Sequence, residues 1–389
     1  MESVKRNILL NPGPATTTDS VKYAQVVPDI CPREKSFCEL MQFVTSELTS
    51  LVADLQEYTT ILFGGSGTAA VESILSSVMT DGTILIINNG AYGKRMCEIA
   101  EAYQLDWIEF KSVPYQPIQL DLLQSFIQEL PQTISYLAVV HNETTTGLLN
   151  DIEAIGTICK ENNIEMMVDA MSSFGAIPID MNKMNINYLA ASANKNLQGM
   201  AGVSFVVAKK SNLSKEKHTK PTNYYLNLYS QYKSFLETGQ MRFTPPVQTI
   251  YALKQAIIEL KEEGVTERYK RYTLLWESLI AGMTSLGLKY LVPDKHHSKI
   301  ITAIVEPTCS TYDFTKMHDY FYENGITIYP GKLNQMNSFR IANIGDLKES
   351  DIDLFLTLLE KYFQKLGIDT TDENLTEVLY GGKENYPTI

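Results

Sequence analysis

Between residues 58 and 208 the chain alternates short runs of Ile, Val and Leu with stretches of helical periodicity, and no other feature restricts its fold so strongly. The apolar runs fall at 59–63, 83–88, 105–111, 136–141, 164–169, 188–191 and 203–208. Helical spacing predicts helices at 68–78, 92–103, 120–130 and 151–161 between most of them. Strands that are apolar along their whole length are buried on both faces, so a mostly parallel sheet covered by helices on both sides is expected. Ligands in such α/β sheets bind beyond the carboxyl ends of the strands, and the polar motifs of this chain fall there.

The flanks are organised differently. Asn11-Pro12-Gly13-Pro14 and the threonines after it are turn chemistry, read as part of an N-terminal arm, and residues 37–55 carry the spacing of a long amphipathic helix. Residues 209–242 are polar and tyrosine-rich with little periodicity. Helices are expected at 247–263 and 266–286, then a strand at 299–305, a helix at 314–324, strands at 326–329 and 338–341, and a last helix to about 366 opened by a Ser350–Asp353 capping box. The expected division is an arm at 1–20, a large α/β domain at 21–260, a smaller α+β domain at 261–368 and an acidic, loosely attached tail at 369–389.

The 389 residues carry a formal net charge of −12, which disfavours nucleic acid and anionic membranes as main partners but leaves room for a local arginine to bind an acid. No apolar run approaches a membrane span and no leader pattern opens the sequence, so a cytoplasmic protein is expected. The five cysteines are scattered without CxxC spacing and read as reduced thiols. No metal site is expected: His296 and His297 are adjacent without a carboxylate partner and read as a solvated turn.

One lysine, Lys195, stands in a small-residue turn between the apolar runs 188–191 and 203–208, and Asp169 ends the run before them. A lysine there is costly unless neutralised or covalently used. Together with a strand-end aspartate it suggests pyridoxal phosphate, the lysine joining the aldehyde and the aspartate pairing with the ring nitrogen. A structural ion pair is the plainer alternative. Gly64 to Thr68 form a glycine-rich turn opening a helix, a seat for phosphate with Ser66 and Thr68 as hydroxyl donors, or else an ordinary strand–helix turn. No P-loop lysine follows, and the next strand ends in Asn88-Asn89-Gly90 where a dinucleotide fold wants an acid.

Tyr92 opens the next helix, where a flat ring can stack on a pyridine. His141, Glu143 and Thr144 crowd another strand end, with Thr144 suited to the cofactor's phenolic oxygen, Glu143 to organising the loop and His141 to a structural place. Arg340 sits between Phe339 and Ile341, so strand alternation turns it away from its apolar neighbours, and its planar fork suits a carboxylate or phosphonate. A surface arginine is the alternative.

Asn11-Pro12-Gly13-Pro14, Gly65-Ser66-Gly67, Asn89-Gly90-Ala91-Tyr92-Gly93, His141-x-Glu143-Thr144-Thr145-Thr146-Gly147, Asp169-Ala170-Met171-Ser172-Ser173-Phe174-Gly175, Ser192-Ala193-Asn194-Lys195, Arg242-Phe243-Thr244, Ile328-Tyr329-Pro330-Gly331-Lys332 and Phe339-Arg340-Ile341 together resemble the class V group of fold-type I pyridoxal-phosphate aminotransferases. They cover roughly residues 7–365. Within the group they are similar to the members that pass an amino group from 2-aminoethylphosphonate to pyruvate, giving phosphonoacetaldehyde and alanine.

The resemblance implies that Lys195 is the Schiff-base lysine, Asp169 the ring-nitrogen partner and Tyr92 the stacking ring. Ser66, Gly67, Thr68 and Asn194 would hold the phosphate, joined by Thr244 from a second subunit of a homodimer with shared sites. Arg340 would take the acid group of each substrate, with Arg33, Lys35 and Lys332 as further candidates for the phosphonate. An alanine–glyoxylate or serine–glyoxylate transaminase, or a pyridoxal-phosphate-binding protein without turnover, are the alternatives.

Overall fold

The computed structural model describes residues 3–78, 82–217, 222–331, 337–372 and 375–376. Seven strands form its main sheet: β2 (Tyr58–Gly64), β3 (Thr83–Asn88), β4 (Trp107–Lys111), β5 (Ile134–Val140), β8 (Glu165–Asp169), β9 (Ile186–Ser192) and β10 (Val203–Lys209), in the order β2-β10-β9-β8-β5-β3-β4. Four of the pairings are parallel, and β10 runs antiparallel to both its neighbours. Each strand matches an apolar run of the sequence to within two residues at either end. β1 (Ile8–Leu9), β6 (Asn142–Glu143) and β7 (Leu148–Leu149) are two-residue strands outside this sheet.

Burial on both faces explains why most of these strands are rich in apolar residues. On one face Leu85, Ile87, Leu137, Val139, Val168, Leu189 and Phe205 pack against α2 (Lys35–Ser50), α5 (Leu120–Glu129), α6 (Ile152–Glu161) and α9 (Val247–Glu263). On the other, Ile84, Ile86, Ala138, Met167, Ala190 and Val206 meet α3 (Gly67–Val78) and α4 (Ala91–Ala102). Alternate side chains of a strand point to opposite faces, so each strand supplies both cores. α1 (Asp19–Tyr23) is a short helix capped by the Thr18 hydroxyl.

Residues 209–242, with little periodicity in sequence, contain two helices, α7 (Lys210–Glu216) and α8 (Leu228–Thr238). Beyond α10 (Val265–Ser285), β11 (Ile301–Val305), β13 (Tyr329–Pro330) and β14 (Ser338–Ala342) make a three-stranded antiparallel sheet. The single strand expected at 326–329 is therefore two: β12 (Ile326–Thr327) leaves that sheet and pairs in parallel with β1. α10, α11 (Phe314–Glu323) and α12 (Glu349–Leu366) close a separate core around Leu279, Phe321, Phe339 and Phe355, and Ile8 and Leu10 from the chain's beginning are buried in it.

Two further expectations are corrected. α12 starts two residues before Asp351, whose carboxylate accepts the Lys348 N–H and pairs with Arg6, so Ser350 is not its cap. His297 is buried, its Nδ1 accepting the Lys299 N–H and its ring 5.0 Å from that of Trp276, rather than solvated. Within the stretch set apart as a tail, Leu375 and Thr376 are buried, and the Leu375 carbonyl accepts the Thr308 N–H, while 377–389 lie outside the described residues. Among the described residues no helix is long and apolar enough to cross a membrane.

Candidate active site

The parallel strands end along one edge of the main sheet, and the chemistry-bearing residues collect there. Asp169 is the last residue of β8, in register with Val140 of β5 and Ala190 of β9, so it stands mid-sheet. It is buried, and its Oδ1 accepts the Met171 N–H at 2.9 Å. Loss of water lifts its pKa to about 6 against the pull of that N–H and of the nearby Arg95 and Lys195 charges. His141, beside it, is buried and held neutral by desolvation, with a pKa near 3 and Nδ1 against the Ser173 hydroxyl at 3.0 Å. Its own N–H donates to the Asp169 carbonyl, which fits a structural role.

Lys195 follows β9 in a turn that Asn196 ties to the residues after Asp169 through its Nδ2 and the Ser172 carbonyl at 2.8 Å. The lysine is half-buried and its Nζ donates to the Pro12 carbonyl. Asn194, also half-buried, accepts the Ala15 N–H with its backbone oxygen.

The turn from β2 into α3 brings Ser66, Gly67 and Thr68 to the same edge. The amides of a helix's first turn have no partners within the helix, and the dipole there favours an anion. Gly67 touches this centre closely: a Cβ on it would lie 2.4 Å from the sulfur of Met171, two residues past Asp169. Thr68 accepts a long hydrogen bond, 3.5 Å, from Arg95. That arginine lies over the Tyr92 ring, its guanidinium carbon 4.9 Å from the centroid. Sequence reasoning passed over Arg95, although it stands three residues after Tyr92 on the same face of α4.

Tyr92 is held from a distance. α4 has Gly90 at its N-cap with no capping side chain, and the Glu143 carboxylate accepts the Tyr92 N–H at 3.3 Å instead. Glu143 also accepts the N–H and hydroxyl of Thr145, is fully buried, and has its pKa raised to about 7 by desolvation. A Cβ at Gly90 would meet this carboxylate at 2.3–2.6 Å, which explains the glycine. Thr144, next in the loop, is buried with its hydroxyl 3.2 Å from that of Ser172.

Arg340 enters from β14. Phe339 and Ile341 belong to the C-terminal core and Arg340 does not, the alternation expected of a strand. Its side chain is fully buried: Nε donates to the Pro330 carbonyl at 3.0 Å, Nη1 to the Thr144 carbonyl at 3.2 Å, and the Tyr329 ring lies 5.0 Å from the guanidinium carbon. Burial lowers its pKa, and the Tyr92 hydroxyl and Glu143 act the other way. Nη2 has no acceptor among the described residues. A buried guanidinium fixed at two corners, with Nη2 unsatisfied and the Tyr92 hydroxyl beside it, is shaped for an acid group.

Other candidates stand apart. Thr244 is exposed and lies between Phe243, whose ring stacks on Tyr225, and Pro246, which reaches Gly64. Arg33 is engaged by Gln240 and the Met241 carbonyl, and Lys35 is exposed beside Glu39. Lys332 lies outside the described residues. The buried thiols Cys97 and Cys159 have pKa values pushed up to about 12 by desolvation and are chemically quiet.

Known proteins are similar to this chain in sequence and in fold. The family model for class V aminotransferases matches residues 22–345. A 2-aminoethylphosphonate–pyruvate transaminase of Bacillus cereus (strain G9842) is 39% identical over 358 residues, 91% of this chain and 97% of that protein. A bifunctional phosphonoacetaldehyde hydrolase/aminoethylphosphonate transaminase of Clostridioides difficile (strain 630) is 38% identical over 92% of this chain, which spans 56% of that longer protein. Among solved structures, the ureidoglycine–glyoxylate aminotransferase of Bacillus subtilis superposes with a TM-score of 0.85 over 96% of this chain and 97% of that one, at 20% identity.

Proposed function

The chain belongs to the class V aminotransferase family, and from that footing we propose that it moves the amino group of 2-aminoethylphosphonate to pyruvate, using pyridoxal phosphate. The observation that carries the substrate reading is the buried Arg340 with its open Nη2. One arginine serves both half-reactions, because phosphonate and carboxylate each accept its paired N–H groups. Relatives named for the phosphonate donor favour it over an alanine–glyoxylate or serine–glyoxylate pairing.

The residues present fit the cofactor: a helix N-terminus with hydroxyls for the phosphate, a buried carboxylate for the ring nitrogen, an aromatic ring and a lysine. Ser66, Gly67, Thr68 and Asn194 hold the phosphate, with the partner subunit's Thr244 completing the seat. When bound, the cofactor supplies an electron sink for the pair left on the substrate carbon. Asp169 keeps the ring nitrogen protonated, and that positive charge draws the carboxyl back toward its ionised form. Tyr92 would stack on the ring, and Thr144 would donate to the phenolic oxygen. Lys195 holds the cofactor between turnovers and its Nζ then carries the proton taken from the substrate carbon.

The homodimer reading draws on the patch around Thr244, where Tyr224 is 73% and Tyr225 46% exposed beside Phe243 and Arg242. Aromatics with an arginine are what a second copy covers. A cytoplasmic setting, without nucleic acid or membrane as partner, goes with a small-molecule enzyme of this kind. The test is alanine formation from pyruvate with 2-aminoethylphosphonate, alanine or serine as donor. The first is expected to exceed serine by orders of magnitude; equal or greater use of serine overturns the donor assignment.

A further inference from the structure

Asn11-Pro12-Gly13-Pro14 reads in sequence as a turn in an arm, yet the structure threads it between Lys195 and the strand of Arg340. β1 fastens the segment to β12, with the Leu10 N–H on the Thr327 carbonyl at 2.9 Å. The Leu10 carbonyl then accepts the N–H of Ala342, two residues past Arg340. Pro12 offers its carbonyl to Lys195 Nζ, and the Ala15 N–H donates to the Asn194 carbonyl at 3.0 Å. Thr16 bridges Gly345, and its hydroxyl accepts the Leu9 N–H at 3.0 Å, closing the segment on itself. Leu10, Asn11, Ala15 and Thr16 are buried.

Gly13 sits at φ +126° with its α-carbon against the lysine: a Cβ there would lie 2.4 Å from Lys195 Cδ and 2.7 Å from Nζ. A turn needing glycine only for its backbone would not place the side-chain atoms of the one functional lysine in that space.

We propose that residues 10–16 are a positioning strap, in which the Pro12 carbonyl receives the Lys195 amine whenever that amine is not joined to the cofactor. The inference rests on the reading of Lys195 as the proton carrier. With one N–H on Pro12, the nitrogen's lone pair is turned away from the strap. It takes the proton from the substrate carbon while the bonding pair stays behind on that carbon. The resulting ammonium keeps its hydrogen bond to the carbonyl until the proton is handed on, so acceptor and geometry persist through the transfer. The same strap touches β14 two residues from Arg340, through the Leu10 carbonyl and the Ala342 N–H.

The test uses holoenzyme of Gly13→Ala and Thr16→Val, the second loosening the strap at Leu9 without touching the lysine. In single-half-reaction kinetics with donor deuterated at the reacting carbon, Gly13→Ala is expected to be slowed about 100-fold, the scale of an ångström-sized misplacement of a reacting group. Its primary isotope effect rises while the KM for pyruvate stays within about threefold, a split that simple loss of structure does not produce. Thr16→Val moves the same way by a smaller factor. The pH midpoint of the visible band of lysine-bound cofactor shifts in Gly13→Ala, and this needs no donor. If the donor assignment were wrong, wild type would show no half-reaction with it while the midpoint would still report on the strap. Unchanged half-reaction rate, isotope effect and midpoint in folded Gly13→Ala overturn the proposal. Where that variant does not melt cooperatively, unchanged values in Thr16→Val overturn it.

Discussion

Asp169→Asn is expected to make the cofactor-free protein more stable at pH 8 while crippling its use of the cofactor. The carboxyl stands 7% exposed at the end of β8, and desolvation raises its pKa from 3.8 to about 6. A folded value above the ordinary one means that the unfolded chain releases this proton first as pH rises. The associated stability is therefore fully present below about pH 4 and is lost by about pH 6. A displacement of that size corresponds to about 3 kcal/mol, an order-of-magnitude figure. Asparagine keeps an oxygen for the Met171 N–H and carries no charge to bury. Urea unfolding of cofactor-free wild type and variant should agree near pH 4 and differ by about 3 kcal/mol at pH 8 in the variant's favour. Glu143 titrates in both proteins and largely cancels in the difference. Cofactor affinity moves the other way, falling about 10- to 100-fold with the loss of a charge-assisted bond to the ring nitrogen. If the variant is the less stable protein at pH 8, the pairing of Asp169 with Lys195 and Arg95 outweighs its desolvation and the reasoning fails.

Lys195→Ala should abolish both the visible cofactor band and transamination, read by absorbance and alanine formation; retention of either removes Lys195 from its role. Arg340→Ala should lower kcat/KM for both substrates by a factor of about 100 or more, the scale of a lost buried charge-assisted pair, while the cofactor stays bound. A loss confined to cofactor binding would place Arg340 elsewhere. Gly156→Ala sets two effects against each other: alanine is better than glycine in a helix by about 1 kcal/mol, but here a Cβ would lie 1.9 Å from the Met184 carbonyl. Overpacking against backbone wins, so the melt should show a loss of about 1–3 kcal/mol, with substrate KM values unchanged.

The main sheet was legible because burial on both faces keeps most of its strands predominantly apolar, and several strand ends are marked by the polar group they present. Asp169 at the end of β8 and Lys195 just beyond β9 stood out against those runs for the same reason. What escaped involved partners distant in sequence. Ile8–Leu9 becomes a strand only because Ile326–Thr327 lies beside it, and that pairing splits the run expected at 326–329. Glu143 caps a helix 51 residues away, a role that no local pattern announces. Arg95 carried a usable signal, its spacing from Tyr92. The Pro12 carbonyl carried none, since a backbone oxygen has no letter in a sequence. α7 and α8 were hidden by polar faces too mixed to show a period.

A chain of net charge −12 that binds a phosphate and an acid substrate looks contradictory until the charges are located. Lys195, Arg95 and Arg340 converge on the strand ends, facing two buried carboxyls, Asp169 and Glu143, whose pKa values are both raised. Near neutral pH the Glu143 carboxyl, raised to about 7, holds less than its formal negative charge, so the centre is more positive than a residue count suggests. Burial supplies this bias without further basic residues, and in a poorly solvated cleft the field of three cations outweighs dispersed surface acids. The same arrangement explains a selectivity. Cofactor phosphate and substrate acid bring negative charge toward these cations, and a protonated ring nitrogen would face the Asp169 carboxylate. Each incoming charge would therefore meet one of opposite sign already in place.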